Sequence, residues 1–96
     1  MKKQLFVSFL ARKALTKKTG MVPLYCRVRY NDTTVQFYTQ IDILYINWDS
    51  KRTRVSGNSK KALNLKLETI RVDIIEKYNA LVKTNIIITA KTIIDY

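Results

Sequence analysis

Leu24-Tyr-Cys-Arg-Val-Arg-Tyr30, the dipeptide Asn31-Asp32 and Thr33-Thr-Val-Gln-Phe-Tyr-Thr-Gln-Ile41 form the stretch that decides the fold. A β-strand sends successive side chains to opposite faces. As a strand, the first segment puts Arg27 and Arg29 on one face and Cys26 and Val28 on the other. The last segment alternates in the same way: Val35, Phe37, Thr39 and Ile41 oppose Thr34, Gln36, Tyr38 and Gln40. Asn31-Asp32 joins the two as a two-residue turn of residues that tolerate positive φ. The hairpin therefore has one apolar face and one cationic, polar face, a shape suited to a polyanion.

Working outward, Gln4 to about Ala14 reads as a further strand, with Val7, Phe9 and Ala11 on one side and Ser8, Leu10 and Arg12 on the other. Thr16-Lys-Lys-Thr-Gly20 is a loop, and Pro23 suits the beginning of the next strand, where its missing N–H does no harm. Short connections join antiparallel neighbours, so residues 4–41 are expected to form a three-stranded meander. Residues 42–58 look irregular, with Trp48 plugging the end of the core. Asn58 or Ser59 can then cap a helix over residues 60–83. Leu63, Leu67, Ile70, Ile74, Tyr78 and Leu81 recur at three- and four-residue spacing and make one apolar stripe. A lone three-stranded sheet cannot hide its inner face, and this stripe is the cover. The expected class is α+β: a three-stranded antiparallel sheet packed on one long C-terminal helix, plus the start of a further helix. Leu65 and Val72 lie almost opposite the stripe, either as scattered surface aliphatics or as a contact for a neighbouring domain. Residues 85–88 read as a link. Thr89 reads as an N-cap, and Ile88 and Ile93 have the spacing of a hydrophobic staple. A helix of about two turns is marginal alone, so the expected division is one domain over 1–84, then a linker and the start of a second domain over 85–96.

Composition narrows the function. The formal net charge is +11 over 96 residues. Residues 1–40 hold eight basic side chains and one acid, Asp32, whereas residues 41–96 hold ten basic and six acidic. Such asymmetry points to an anionic partner, nucleic acid first and an anionic membrane surface second. There is no histidine, one cysteine and two glycines. These counts argue against a zinc site, the commonest general base and a phosphate-cradling glycine loop. Asp73 with Lys77, and Glu68 with Arg71, have the spacing of helix-surface ion pairs. No catalytic residue, metal site or cofactor is therefore expected. Cys26 is expected in the core, and a lone cysteine fits a reducing cytosol. No stretch has the length and apolarity of a signal peptide or a transmembrane span, so no membrane partner is assigned.

Several segments resemble the amino-terminal arm-type DNA-binding domain of phage and conjugative-transposon integrases, the tyrosine recombinases. They are Phe9-Leu-Ala-Arg-Lys13, Lys17-Lys-Thr-Gly20, Val22 through Tyr30, the Asn31-Asp32 turn and Phe37-Tyr-Thr-Gln-Ile41. The most specific is Asn47-Trp-Asp-Ser-Lys51 followed by Arg54-Val-Ser-Gly-Asn58. One departure stands out: the family commonly has glycine where this chain has Gln40. The resemblance implies a three-stranded sheet on one helix, with the open face entering the major groove of double-stranded DNA at arm-type sites. It also implies core-binding and catalytic domains outside this chain, through which other integrase protomers are met, and a bacterial, cytoplasmic, nucleoid-associated setting.

On that reading the DNA-binding residues are Arg12, Lys13, Lys17, Lys18, Tyr25, Arg27, Arg29, Thr34, Gln36, Tyr38 and Gln40. Arginine suits guanine, glutamine suits adenine, and threonine or a ring suits the thymine methyl. Lys13, Lys17 and Lys18 are expected to hold phosphate. On pattern alone, Arg27 and Arg29 equally fit a solvated sheet face, and Tyr25 and Tyr38 equally fit a cross-strand pair. Two other classes stay open: a single-stranded RNA module stacking bases on Tyr25 and Tyr38, and a protein-interaction module using the helix around Leu65 and Val72.

Overall fold

The alternation in the hairpin is realised as a sheet of order β1-β2-β3, with β1 over Leu5–Ala11, β2 over Val22–Tyr30 and β3 over Thr33–Ile43. The structure, a computed structural model, describes residues 4–57, 60–84 and 86–96. All three strands run antiparallel to their neighbours. Tyr30 pairs with Thr33 across the turn, where Asn31 takes φ 53°. The inner face buries Leu24, Cys26 and Val28 completely. Helix α1, Lys60–Leu81, lies over it and buries Leu67, Ile74 and Leu81. Each such aliphatic side chain contributes roughly 1.5–3 kcal/mol by leaving water. Tyr78 meets Tyr30 with ring centroids 5.4 Å apart. The predicted stripe is thus the packed one, and Leu65 and Val72 are 68% and 43% exposed on the other side.

Four boundaries differ from expectation, the smallest change being β2, which starts at Val22 rather than Leu24. β1 stops at Ala11: the Arg12 amide still donates to the Pro23 carbonyl at 3.0 Å, but Pro23 has no N–H to give back, and the Arg12 carbonyl accepts instead from the Leu15 amide at 2.9 Å as the chain turns through a 3-10 segment, Lys13–Leu15. Pro23 is tolerated in the central strand for a related reason. The nitrogen and carbonyl of one antiparallel residue point the same way, so its missing N–H faces the side on which β1 has already ended. β3 runs on to Ile43 because it carries a bulge. Tyr38 pairs with Tyr25, but Ile41 is the residue that pairs with Leu24, so Thr39 and Gln40 are extra. The Thr39 hydroxyl fills the gap, donating to the Leu24 carbonyl at 2.8 Å and accepting from the Ile41 amide at 3.2 Å. Gln40 bends the chain at φ 66°. At the far end, α1 closes two residues before Lys83: the Thr84 amide and hydroxyl both donate to the Leu81 carbonyl.

The segment expected to be irregular holds a small hairpin, β4 (Trp48–Asp49) and β5 (Arg54–Val55). Asp49 Oδ1 holds its turn by accepting from the amides of Lys51 and Arg52, both at 3.1 Å. Asn64 of α1 clamps the hairpin: the Val55 amide donates to Oδ1 at 2.7 Å, and Nδ2 donates to the Val55 carbonyl at 2.8 Å. Trp48 is half-buried against the core, as expected. The proposed caps Asn58 and Ser59 lie outside the described residues.

Thr89 caps a final helix, α2 (Ala90–Asp95), in a reciprocal capping box with Thr92. Ala90 and Ile93 are buried in the same core as the sheet, with Ile88 packed against it. The Ala90 amide donates to the Thr33 hydroxyl at 2.8 Å, and that hydroxyl donates to the Tyr30 carbonyl at 2.7 Å. One threonine thus ties α2 to the β2–β3 turn.

Candidate nucleic-acid interface

The face of the sheet turned away from α1 is built by cross-strand register into three rows. Phe6, Arg29 and Thr34 form one, Ser8, Arg27 and Gln36 the next, and Leu10, Tyr25 and Tyr38 the third. Arg27, Arg29, Thr34 and Gln36 are exposed. Their neighbours along the strands, Cys26 and Val28, are fully buried, so pleating alone sends both guanidinium groups away from the helix. With its amide oxygen turned toward Arg27, Gln36 accepts from Nε and Nη2, each at 3.2 Å. Such a contact steadies the side chain without burying it.

A second group forms where the β1–β2 connection folds over the sheet end. Tyr25 and Tyr38 lie 5.7 Å apart, tilted by 35°. Arg12 stands over the Tyr25 ring at 5.0 Å and Lys17 over the Tyr38 ring at 4.9 Å. Lys17 Nζ donates to Asp42 Oδ2 at 2.8 Å and to the Tyr38 hydroxyl at 2.9 Å, and that hydroxyl donates to Asp42 Oδ1 at 2.7 Å. The hydrogen bond from Lys17 holds the Asp42 carboxyl below its ordinary value, and the same bond raises the Lys17 ammonium above its own. Both groups are therefore charged throughout the neutral range. Lys13 stands 4.6 Å over the Tyr45 ring at the flank.

The structure thus gathers Arg12, Lys17, Tyr25 and Tyr38 at one end of the face, and Arg27, Arg29, Thr34 and Gln36 along the rest. Lys18 is exposed in the loop. Gln40 lies in the bulge with no cross-strand partner. Three neighbours of the site went unread in the sequence: Phe6, Asp42 and Tyr45. Phe6 had a signal, since it shares parity with Ser8 and Leu10; it stands 55% exposed beside Arg29. Asp42 had none, because its partner Lys17 is far away in sequence.

Burial pushes the Cys26 thiol up to about 12, so it is an inert core group. Among the described residues, no cluster of three or more His, Cys, Asp or Glu could hold a metal ion. Among the same residues, no helix is long and apolar enough to cross a membrane.

The model of the Arm DNA-binding domain family matches residues 9–94, from the middle of β1 to the last turn of α2. The chain belongs to that family. Arm domains of this type occur in integrases and are non-catalytic DNA-binding modules, so DNA is the partner. No curated protein and no solved structure matches the chain. The match takes in the arm domain's sheet, its small hairpin and both helices.

Proposed function

We propose that the arm domain lays the outer face of β1–β3 in the major groove of arm-type sites and reads base edges there, in the service of DNA integration by a tyrosine recombinase. The catalytic domain and the contacts to other protomers belong to parts of that protein outside this chain, in a mobile element working in the bacterial cytoplasm at the nucleoid. The observation that carries this reading is the pair Arg27 and Arg29, exposed on the face opposite α1 and flanked by Gln36 and Thr34. Three strands at about 4.8 Å spacing span roughly 10 Å of backbone, within a groove about 12 Å wide. Arg27 and Arg29 suit guanine, Gln36 suits adenine, and Phe6 offers an apolar surface to a thymine methyl. Lys13 and Lys18 lie toward the rim, where phosphate would be met, and Lys17, paired with Asp42, pins the loop there.

Stacking of single-stranded RNA is the weaker reading. Tyr25 and Tyr38 lie against each other, and each ring already carries a cation.

Arg27→Ala and Arg29→Ala test the proposal in a gel-shift titration at fixed salt. Each should weaken binding about 5- to 150-fold, the equivalent of 1–3 kcal/mol for a lost guanine contact. The thermal midpoint should not move, because both side chains are exposed. Unchanged affinity in both variants would remove the groove-facing assignment.

A further inference from the structure

A second cationic surface lies on the helix side of the sheet. A cleft of about 440 Å³ opens between the β4–β5 hairpin and the first turn of α1, and Arg52, Arg54, Lys60 and Lys61 line it. Asp49 is the one carboxylate there, and its own turn engages it: Oδ1 accepts from two backbone amides, and Oδ2 lies 3.9 Å from Arg52 Nε. A neighbouring cleft shares Arg52 and Arg54 and adds Arg71 with Glu68, which pair with each other at 3.8 Å. Arg54, Lys60 and Lys61 form no side-chain ion pair among the described residues, and all three are exposed.

Physics disfavours this gathering unless an anion joins it. Asn64 locks the hairpin to α1 and so fixes two arginines beside two lysines. Like charges held together repel and weaken the fold. Lys60 and Lys61 also occupy the end of α1 where the macrodipole is already positive, and no acid stands in that first turn. Three cations that break local charge rules with no acid paired to them among the described residues, Arg54, Lys60 and Lys61, point to a functional surface. Its cations come from two separate elements around an open cleft, which suits a chain of phosphates better than one small anion.

We propose that Arg52, Arg54, Lys60 and Lys61 form a second DNA contact of the arm domain, one that takes phosphodiester groups of the backbone and reads no sequence. It rests on the DNA-binding function of the family, but not on the sheet face being the reading surface.

The test compares two variants of the whole chain that remove the same charge. One is Arg54→Gln/Lys60→Gln/Lys61→Gln; the other, a control at lysines that line neither cleft, is Lys66→Gln/Lys83→Gln/Lys91→Gln. Affinity for an arm-site duplex is measured from about 50 to 200 mM salt. Each lost phosphate contact lowers the slope of log K against log salt by about 0.9, so the patch variant should lose about two to three and the control less than one. Discrimination between arm-site and unrelated duplex should persist in the patch variant, and its thermal midpoint should not fall. Equal slopes in the two variants, or a patch variant that matches the unsubstituted chain, would overturn the proposal. Arg27→Ala/Arg29→Ala in the same titration keeps the two readings apart: discrimination retained there sinks the groove assignment and leaves the patch standing. Duplex length then assigns the phosphates. A patch effect that vanishes on a duplex of about one turn places them on the flank of the same site. An effect that persists there, with two duplexes bound per chain, places them on a second segment.

Discussion

Replacing Gln40 by glycine should stabilise the arm domain. Gln40 takes φ 66° in the bulge of β3. That left-handed conformation costs an L-residue about 1–2 kcal/mol. Glycine escapes the penalty, but its greater freedom in the unfolded chain takes back about 0.5–1 kcal/mol. Gln40 is exposed and its side chain makes no hydrogen bond among the described residues, so little else changes. The balance is a gain of about 0.5–1 kcal/mol. For a domain of this size 1 kcal/mol shifts the midpoint by roughly 4–8 °C, so thermal unfolding followed by circular dichroism should show a rise of about 2–8 °C. Gln40→Ala is the control: it removes the same amide and keeps the strained backbone, so its midpoint should stay near that of the unsubstituted chain. If glycine and alanine shift the midpoint alike, or glycine lowers it, the backbone is not the cause and the reasoning fails. DNA affinity measured on the same two proteins separates a base-reading role of the side chain, lost in both, from the geometry of the bulge.

Asn64→Ala should cost about 2–6 kcal/mol in urea denaturation, because it strands both the amide and the carbonyl of buried Val55, at about 1–3 kcal/mol each; a loss under about 0.5 kcal/mol would show that the clamp does not hold the hairpin. The Asp42–Lys17 pair should respond to acid. The folded Asp42 pKa lies below its ordinary 3.8, so the pair's contribution is present above that value and is lost as pH falls through the folded pKa. Lys17 is raised above 10.5, so its contribution is fully present below that pH and is lost only in stronger base. Side-chain carboxyl resonances followed by NMR should show Asp42 titrating below 3.8; a midpoint at or above it would mean that the loop is not tied down.

The sheet was legible because a half-buried strand writes its two faces into alternate residues. Val28 between Arg27 and Arg29 fixes which way both arginines point, whatever covers the other side. The bulge was illegible for the same reason. Inserting two residues preserves parity, so Tyr38 outward and Ile41 inward fit an unbroken strand as well as a bulged one. Only Gln40, standing where the family commonly has glycine, carried a trace of it. The β4–β5 hairpin was hidden because two-residue strands are too short to show a period; it is held by Asp49 and Asn64 rather than by an apolar pattern. The patch around Arg54 and Lys60 was split in the sequence between a basic loop and a helix start. Nothing in the spacing of those residues announces that Asn64 brings them together.

If the outer face meets DNA as proposed, the choice of partners on it follows from that role. A cation aimed at DNA must be held in place without having its charge cancelled. Arg27 is steadied by a neutral amide, Arg12 by the Tyr25 ring and Lys13 by the Tyr45 ring. Amides and rings orient a cation and leave its net charge intact. Lys17 is the exception, since Asp42 neutralises it. Lys17 thus serves better as the pin that fastens the β1–β2 connection over Tyr38 than as a phosphate ligand in its own right. On the proposed reading, exposed Lys18 is the one left for phosphate. The two lysines, equivalent in the sequence, are therefore divided in role by one acid. Lys18→Gln should lower the salt slope by about one, while Lys17→Gln should loosen the loop and change the slope less. If the two variants prove identical in slope and in loop order by NMR, the division of labour is wrong, and Asp42 yields its lysine to DNA on binding.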